Sequence, residues 1–143
     1  MVITKEFVYK PNDYEAEQAS NGYLMSLIAI MVGLPIPIVN LIATGIFYLQ
    51  NRKGTYFVRW HVTQALLSQV SLLPVNSFGF WWTISIILQK EHITNNYIAY
   101  ISVIIIFNIL EFVATIYTAI QTRKGIHVHW FLYGDITEKI CKT

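Results

Sequence analysis

From Tyr23 to Gln50 the chain carries no charged side chain, and two later windows are almost as bare. Between Trp60 and Gln89 the only titratable group is His61, and between Asn95 and Gln121 the only charge is Glu111. A membrane-spanning helix needs about 20 predominantly apolar residues, and each window reaches that length. Over all 143 residues, hydrophobic side chains make up 55% and charged ones 13%, against about 25% charged in soluble domains. A chain this short cannot hide so much apolar surface in one core. The surplus faces lipid, and the expected fold is an all-α integral membrane protein.

The remaining charges exclude several classes. The net charge is +2, with no basic patch set among aromatic residues in a polar domain, so no nucleic-acid partner is expected. The single cysteine, Cys141, has no internal disulfide partner. Lys5, Glu6, Lys10, Asp13, Glu15 and Glu17 fill the first twenty residues, with no apolar run or cleavage pattern of a signal peptide. The first apolar segment is therefore expected to be retained as a span.

Three regions follow. Residues 1–21 form a polar N-terminal segment with a short helix, whose start is marked by Asn12 and, three residues on, Glu15. Residues 22–121 form the transmembrane helical domain, with spans expected at about 23–49, 56–73 and 96–121. Pro35 and Pro37 should kink or break the first span, because each removes a backbone donor. Pro74, Asn76 and Gly79 interrupt the middle window, which leaves 77–89 as a re-entrant segment or a short fourth helix. Residues 122–143 form a polar tail with a short surface helix near 136–140. Trp60, Trp81, Trp82 and Trp130 read as an interfacial belt.

Basic residues mark the cytoplasmic side of a span. Arg52, Lys53 and Arg59 stand at the first loop, and Arg123 and Lys124 follow the last span. Both groups lie on one side if two crossings separate them. That gives a bundle of three spanning helices plus the re-entrant or short fourth segment, with the N-terminus outside and the C-terminus cytoplasmic.

Glu111 stands near the middle of the last span, where a carboxylate is costly and usually faces a bundle interior or a water-filled path. Asn108, Glu111, Thr115 and Thr118 share one helical stripe, and Tyr97 and Tyr100 extend it. His61, Gln64, Ser68 and Ser71 repeat the spacing in the second helix. Three readings stay open at this point: glue between helices, a polar groove, or a proton or ion relay through Glu111. No nucleophile elbow, phosphate-cradling loop or HExxH motif is present, so no catalytic residues, and no enzyme, are expected. His127, His129 and Cys141 match no recurrent zinc spacing, and neither a metal nor another cofactor is expected.

Phe57-Val58-Arg59-Trp60-His61-Val62-Thr63-Gln64-Ala65-Leu66 resembles the F-x-R-F-H-x-x-Q-A signature of a family of small bacterial membrane proteins. That family is related to the Tic-type component of the chloroplast inner-envelope protein-import channel. Gly33 to Asn40, Leu110-Glu111-Phe112, and Arg123-Lys124-Gly125 with Phe131, Asp135 and Ile136 extend the likeness from about residue 22 onward. The resemblance implies a multi-pass protein of a bacterial inner membrane. It also implies a non-enzymatic subunit that assists protein translocation or membrane-protein assembly through a polar groove. Arg59, Trp60, His61 and Gln64 would carry its motif, with the lipid bilayer, other membrane subunits and translocating polypeptides as partners. The alternatives are a structural subunit of a larger membrane complex and a small self-associating ion or proton channel.

Overall fold

The computed structural model describes residues 2–33, 37–90 and 92–142, apart from the side chains of 29–33, 37 and 40. Among these residues the chain forms β1 (Val2–Lys5), α1 (Asp13–Gly33), α2 (Pro37–Asn51), α3 (Tyr56–Gln89), α4 (Asn95–Arg123), β2 (His127–Trp130) and α5 (Tyr133–Cys141).

A reciprocal cap starts α1. Asn12 Oδ1 accepts from the Glu15 backbone N–H, and Glu15 Oε2 accepts from that of Asn12, both at 2.8 Å. Two orphan donors of the first turn are thereby satisfied. α1 then runs unbroken into the apolar window and ends at Gly33, and α2 begins at Pro37. Proline is favoured at a first helical position, where its missing N–H costs nothing. The expected break at Pro35 lies outside the described residues.

α1 and α2 pack side by side, so the window read as one kinked span is a pair of helices that fold back. Gly22 marks their close approach to α3. A Cβ there would stand 3.6 Å from a Phe47 ring carbon and 3.1 Å from Val62 Cγ2.

α3 is a single helix of 34 residues. The interruption expected at Pro74, Asn76 and Gly79 is absent, and 77–89 is neither a re-entrant piece nor a separate helix. α4 packs against α3 just beyond Pro74: Tyr100 Oη donates to the Val75 carbonyl at 3.1 Å, and Asn76 and Asn108 exchange amide hydrogen bonds. A packed neighbour holds a helix in line past a proline. Gly79 lets α4 come close, since a Cβ there would meet Ile104 Cδ1 at 2.5 Å. Lys90, in the left-handed conformation at φ 51°, closes α3.

α4, of 29 residues, starts where Thr94 Oγ1 accepts from the Tyr97 N–H. It ends at Arg123, and Gly125, with a φ of 75°, turns the chain towards β2. β2 pairs antiparallel with β1, with Val2 opposite Trp130 and Lys5 opposite His127. Arg123 and Glu17 lie 3.3 Å apart. The N-terminal and C-terminal segments therefore share one end of the molecule. This corrects the topology that set them on opposite sides of a membrane: the first apolar window makes two helices where one crossing was expected.

Among the described residues, α3 and α4 are the helices long and apolar enough to cross a membrane; three spans are not supported. At 1.5 Å per residue they are roughly 50 and 45 Å long. Apart from Gly79, the buried residues of α3 lie between Phe57 and Leu72, and those of α4 between Glu111 and Thr122. The rest of this hairpin projects with apolar side chains uncovered, among them Phe78, Trp81, Ile87, Val103, Ile106 and Leu110. Trp60 and Trp130, read as belt residues, are instead buried in the packed end.

Candidate functional site

The packed end of the molecule, here the head, holds a polar network around Tyr23. Its phenol is fully buried, as are the His61 ring and the Gln64 amide. Buried polar groups are costly unless bonded, and this network is bonded throughout. Gln64 fixes its polarity. Its Oε1 accepts from the Trp130 backbone N–H at 3.0 Å, and its Nε2 donates to the Val128 carbonyl at 3.1 Å. Those partners allow only one amide orientation. The second N–H of Nε2 then donates to Tyr23 Oη at 2.8 Å.

With its oxygen accepting from Gln64, Tyr23 has its own proton free for His61 Nδ1, at 2.9 Å. His61 is thereby the Nε2–H tautomer, and that N–H donates to His127 Nδ1 at 3.1 Å. One chain of neutral donors runs from Gln64 through Tyr23 and His61 to His127. Aromatic edges brace it: the Trp60 ring stands 4.3 Å from that of His127, and Phe57 4.5 Å from His61. Burial, with His129 and Lys5 as further positive neighbours, pushes His127 down to about 4 from its usual 6.5.

Burial, and then Lys5, also lower His129, which Asp135 and Glu138 oppose. His129 Nε2 lies 3.2 Å from Asp135 Oδ1 without the alignment of a hydrogen bond. Gly134 makes room for this ring, since a Cβ there would stand 2.5 Å from His129 Cε1. A shallow cavity of about 120 Å³ opens beside the histidines, lined by Lys5, Glu6, Tyr56, His127, His129 and Glu138 among others. No group of three or more His, Cys, Asp or Glu among the described residues could hold a metal ion.

The residues singled out in the sequence are distributed as follows. His61 and Gln64 belong to the Tyr23 network. Arg59 leaves it and donates from Nη2 to the Cys141 carbonyl at 2.8 Å, tying α3 to the end of α5. Trp60 packs against the histidines. Ser68 donates to the Ala65 carbonyl at 2.9 Å. Glu111 is 7% exposed, and its Oε1 has no partner among the described residues. Thr115 donates to the Glu111 carbonyl. Asn108 lies apart, in the projecting hairpin, with Asn76. Pro37 opens α2.

Sequence reasoning missed Tyr23, His127, Trp130 and Asn76. Trp130 Nε1 donates to Thr118 Oγ1 at 2.7 Å, and its ring stacks near Tyr23. The alternation in His127-Val128-His129, with both imidazoles on one face of a strand, was the available signal.

No curated protein and no solved structure matches the chain. The comparison with family models overturns the likeness to a Tic-type import component, because the model that matches residues 17–134 is that of the magnetosome magnetite crystal formation protein family. The motif that carried the likeness has a structural use here: Arg59, His61 and Gln64 fasten α3 to the C-terminal segment. With two apolar helices of spanning length, the protein is membrane-associated. The match covers most of the sequence, and the chain belongs to the magnetosome magnetite crystal formation protein family.

Proposed function

We propose that this protein is a non-enzymatic structural component of the membrane in which magnetite crystals form. The α3–α4 hairpin is its anchor in lipid, and the head stands at one membrane face. The observation that carries this reading is the contrast between the two parts. The hairpin leaves its apolar side chains uncovered, whereas the head bonds Tyr23, His61, Gln64 and His127 to one another in a buried network. Side chains committed to one another in this way hold a shape. The partners of such a component are the bilayer and neighbouring membrane proteins, further copies of this chain included.

The test is deletion of the gene in a magnetite-forming cell, with crystals counted and measured by electron microscopy. Crystals altered in number or size, and restored by the wild-type gene, support the reading. Unchanged crystals overturn the role in mineral formation. Extraction of the protein by alkaline carbonate would overturn the anchor, because a lipid-embedded hairpin stays in the pellet.

A further inference from the structure

We propose that α1 and α2 lie only in the leaflet on the head side, and that they make the protein a wedge whose partner is a strongly convex membrane, with the head on the outside of the curve. This rests on the hairpin anchor proposed above and not on the role in mineral formation.

The depth of α1 and α2 follows from where the helices meet. Gly22, Phe47 and Val62 stand at one level, because a Cβ on Gly22 would touch both other side chains. Gly22 and Phe47 are about equally far from the helix ends at Gly33 and Pro37, so α1 and α2 run antiparallel. Phe47 and Val62 likewise flank the loop between Asn51 and Tyr56, so α2 and α3 run antiparallel. Past this level α1 and α2 extend for about ten residues, roughly 15 Å, whereas α3 extends for about 27, roughly 40 Å. Burial agrees. Apart from Gly79, the last buried residue of α3 is Leu72, about ten residues past Val62.

Lipid is the occupant of the outer faces of this short pair. No charge stands between Tyr23 and Gln50, and Leu24, Ile28, Ile38, Ile42, Ile46 and Leu49 are exposed there. This surface is continuous with the anchor, since the head-side half of α4 exposes Val113, Ile116 and Ile120. Exposed cations follow where the apolar zone ends: Arg52 and Lys53 after α2, and Lys124 after α4. That is the level of lipid phosphates. At the far end Trp82 meets Tyr97 edge-on at 5.6 Å, an aromatic pair suited to the opposite interface. From Tyr97 to Arg123, α4 measures roughly 40 Å, the thickness of a bilayer with its headgroups.

The head-side leaflet therefore holds four helices and the other leaflet two. At a diameter of roughly 10 Å each helix occupies roughly 80 Å², so the two extra helices take roughly 160 Å² from one leaflet alone. A bilayer relieves that imbalance by bending away from the head. Apolar helices seated in one leaflet are sensitive to curvature for this reason.

The test uses the full chain carrying Lys90→Arg, reconstituted in giant vesicles of phosphatidylcholine and phosphatidylglycerol. Lys90 is the lysine of the hairpin tip, and the others lie on the head side. A membrane-impermeant amine dye added outside then marks the copies whose head faces out. Thin tubes are pulled from the vesicles, and protein fluorescence is compared with that of a lipid dye. The tube-to-vesicle ratio should exceed one and rise as the tube narrows. Ile42→Asp with Ile46→Asp puts two carboxylates on the lipid face of α2 and should return the ratio towards one. A ratio at or below one before that change overturns the wedge, and so does an enrichment that the change leaves untouched. A dimer in native mass spectrometry that the change dissociates would place a second copy on this face, and it too overturns the wedge. Circular dichroism identifies a double variant that has unfolded, and the ratio of the parent protein then decides. Resistance to alkaline carbonate with a ratio of one sinks the wedge alone, whereas extraction by carbonate sinks the anchor beneath it.

Discussion

Asn76 and Asn108 exchange amide hydrogen bonds in both directions, at 3.0 and 2.8 Å, across the seam between α3 and α4. They lie outside the Tyr23 network, on the facing sides of the two long helices. Replacing one by leucine strands the other amide in apolar surroundings. Asn76→Leu should destabilise the protein by about 1 kcal/mol, the scale found for hydrogen bonds between membrane helices. Asn76→Leu/Asn108→Leu together should cost less than the two single changes added. A double-mutant cycle of SDS unfolding midpoints checks this, and strict additivity would show that the pair is not coupled.

Gln64 serves Tyr23, Val128 and Trp130 at once, so Gln64→Leu strands the Val128 carbonyl and the Trp130 N–H and takes one of two partners from Tyr23. At about 1–3 kcal/mol for each unsatisfied group, the loss should exceed that of any change at the Asn pair. It should also be local at first. Hydrogen exchange of the Trp130 amide should accelerate before that of the α3 backbone. Equal acceleration of both would mean that Gln64 holds the whole fold together and does not specifically hold β2.

Gly134 faces the His129 ring at a distance no Cβ can share. Gly134→Ala should cost about 1–3 kcal/mol by overpacking. His129→Ala removes the obstacle and should recover most of that loss in the double variant. Thermal unfolding of the four proteins in detergent measures it. A Gly134→Ala protein as stable as wild type would show that the ring has room to move.

His127 should make stability depend on pH. Its folded value, about 4, lies below the usual 6.5 because burial disfavours the charged ring. The unfolded chain therefore takes up a proton there first as the solution is acidified. The stabilisation is fully present above about 6.5 and drains away as pH falls towards about 4. The shift at His129 acts in the same direction. Unfolding midpoints followed from about pH 7.5 to about 4.5 should fall, and His127→Gln should flatten the slope. A midpoint that does not change in wild type contradicts the burial of this ring.

Local pattern carried the helical character of the chain, and distance in sequence hid the rest. The bare windows marked where apolar helices run, and Asn12 with Glu15 marked where α1 starts. Hydropathy could not show that the window from Tyr23 to Gln50 makes two helices packed side by side, because an average over a window carries no direction. Nor could it show that α3 passes through Pro74, because whether a proline ends a helix depends on packing from other elements. Helical spacing grouped His61 with Gln64 and Asn108 with Glu111 but gave no partners. Those partners, Tyr23, His127, Trp130 and Asn76, lie on other elements or half a helix away. Tyr23 was the hardest to see, since a tyrosine at the edge of an apolar window usually marks an interface.

The pairing of β1 with β2 joins residues 2–5 to residues 127–130, and this sets an order on biosynthesis. The ribosome delivers β1 before any helix and β2 only after α4. Throughout that interval His61 and Gln64 have no strand to bond, and the head stays open. A chain halted before His127 would display unpaired polar groups, a feature that quality-control proteases can recognise.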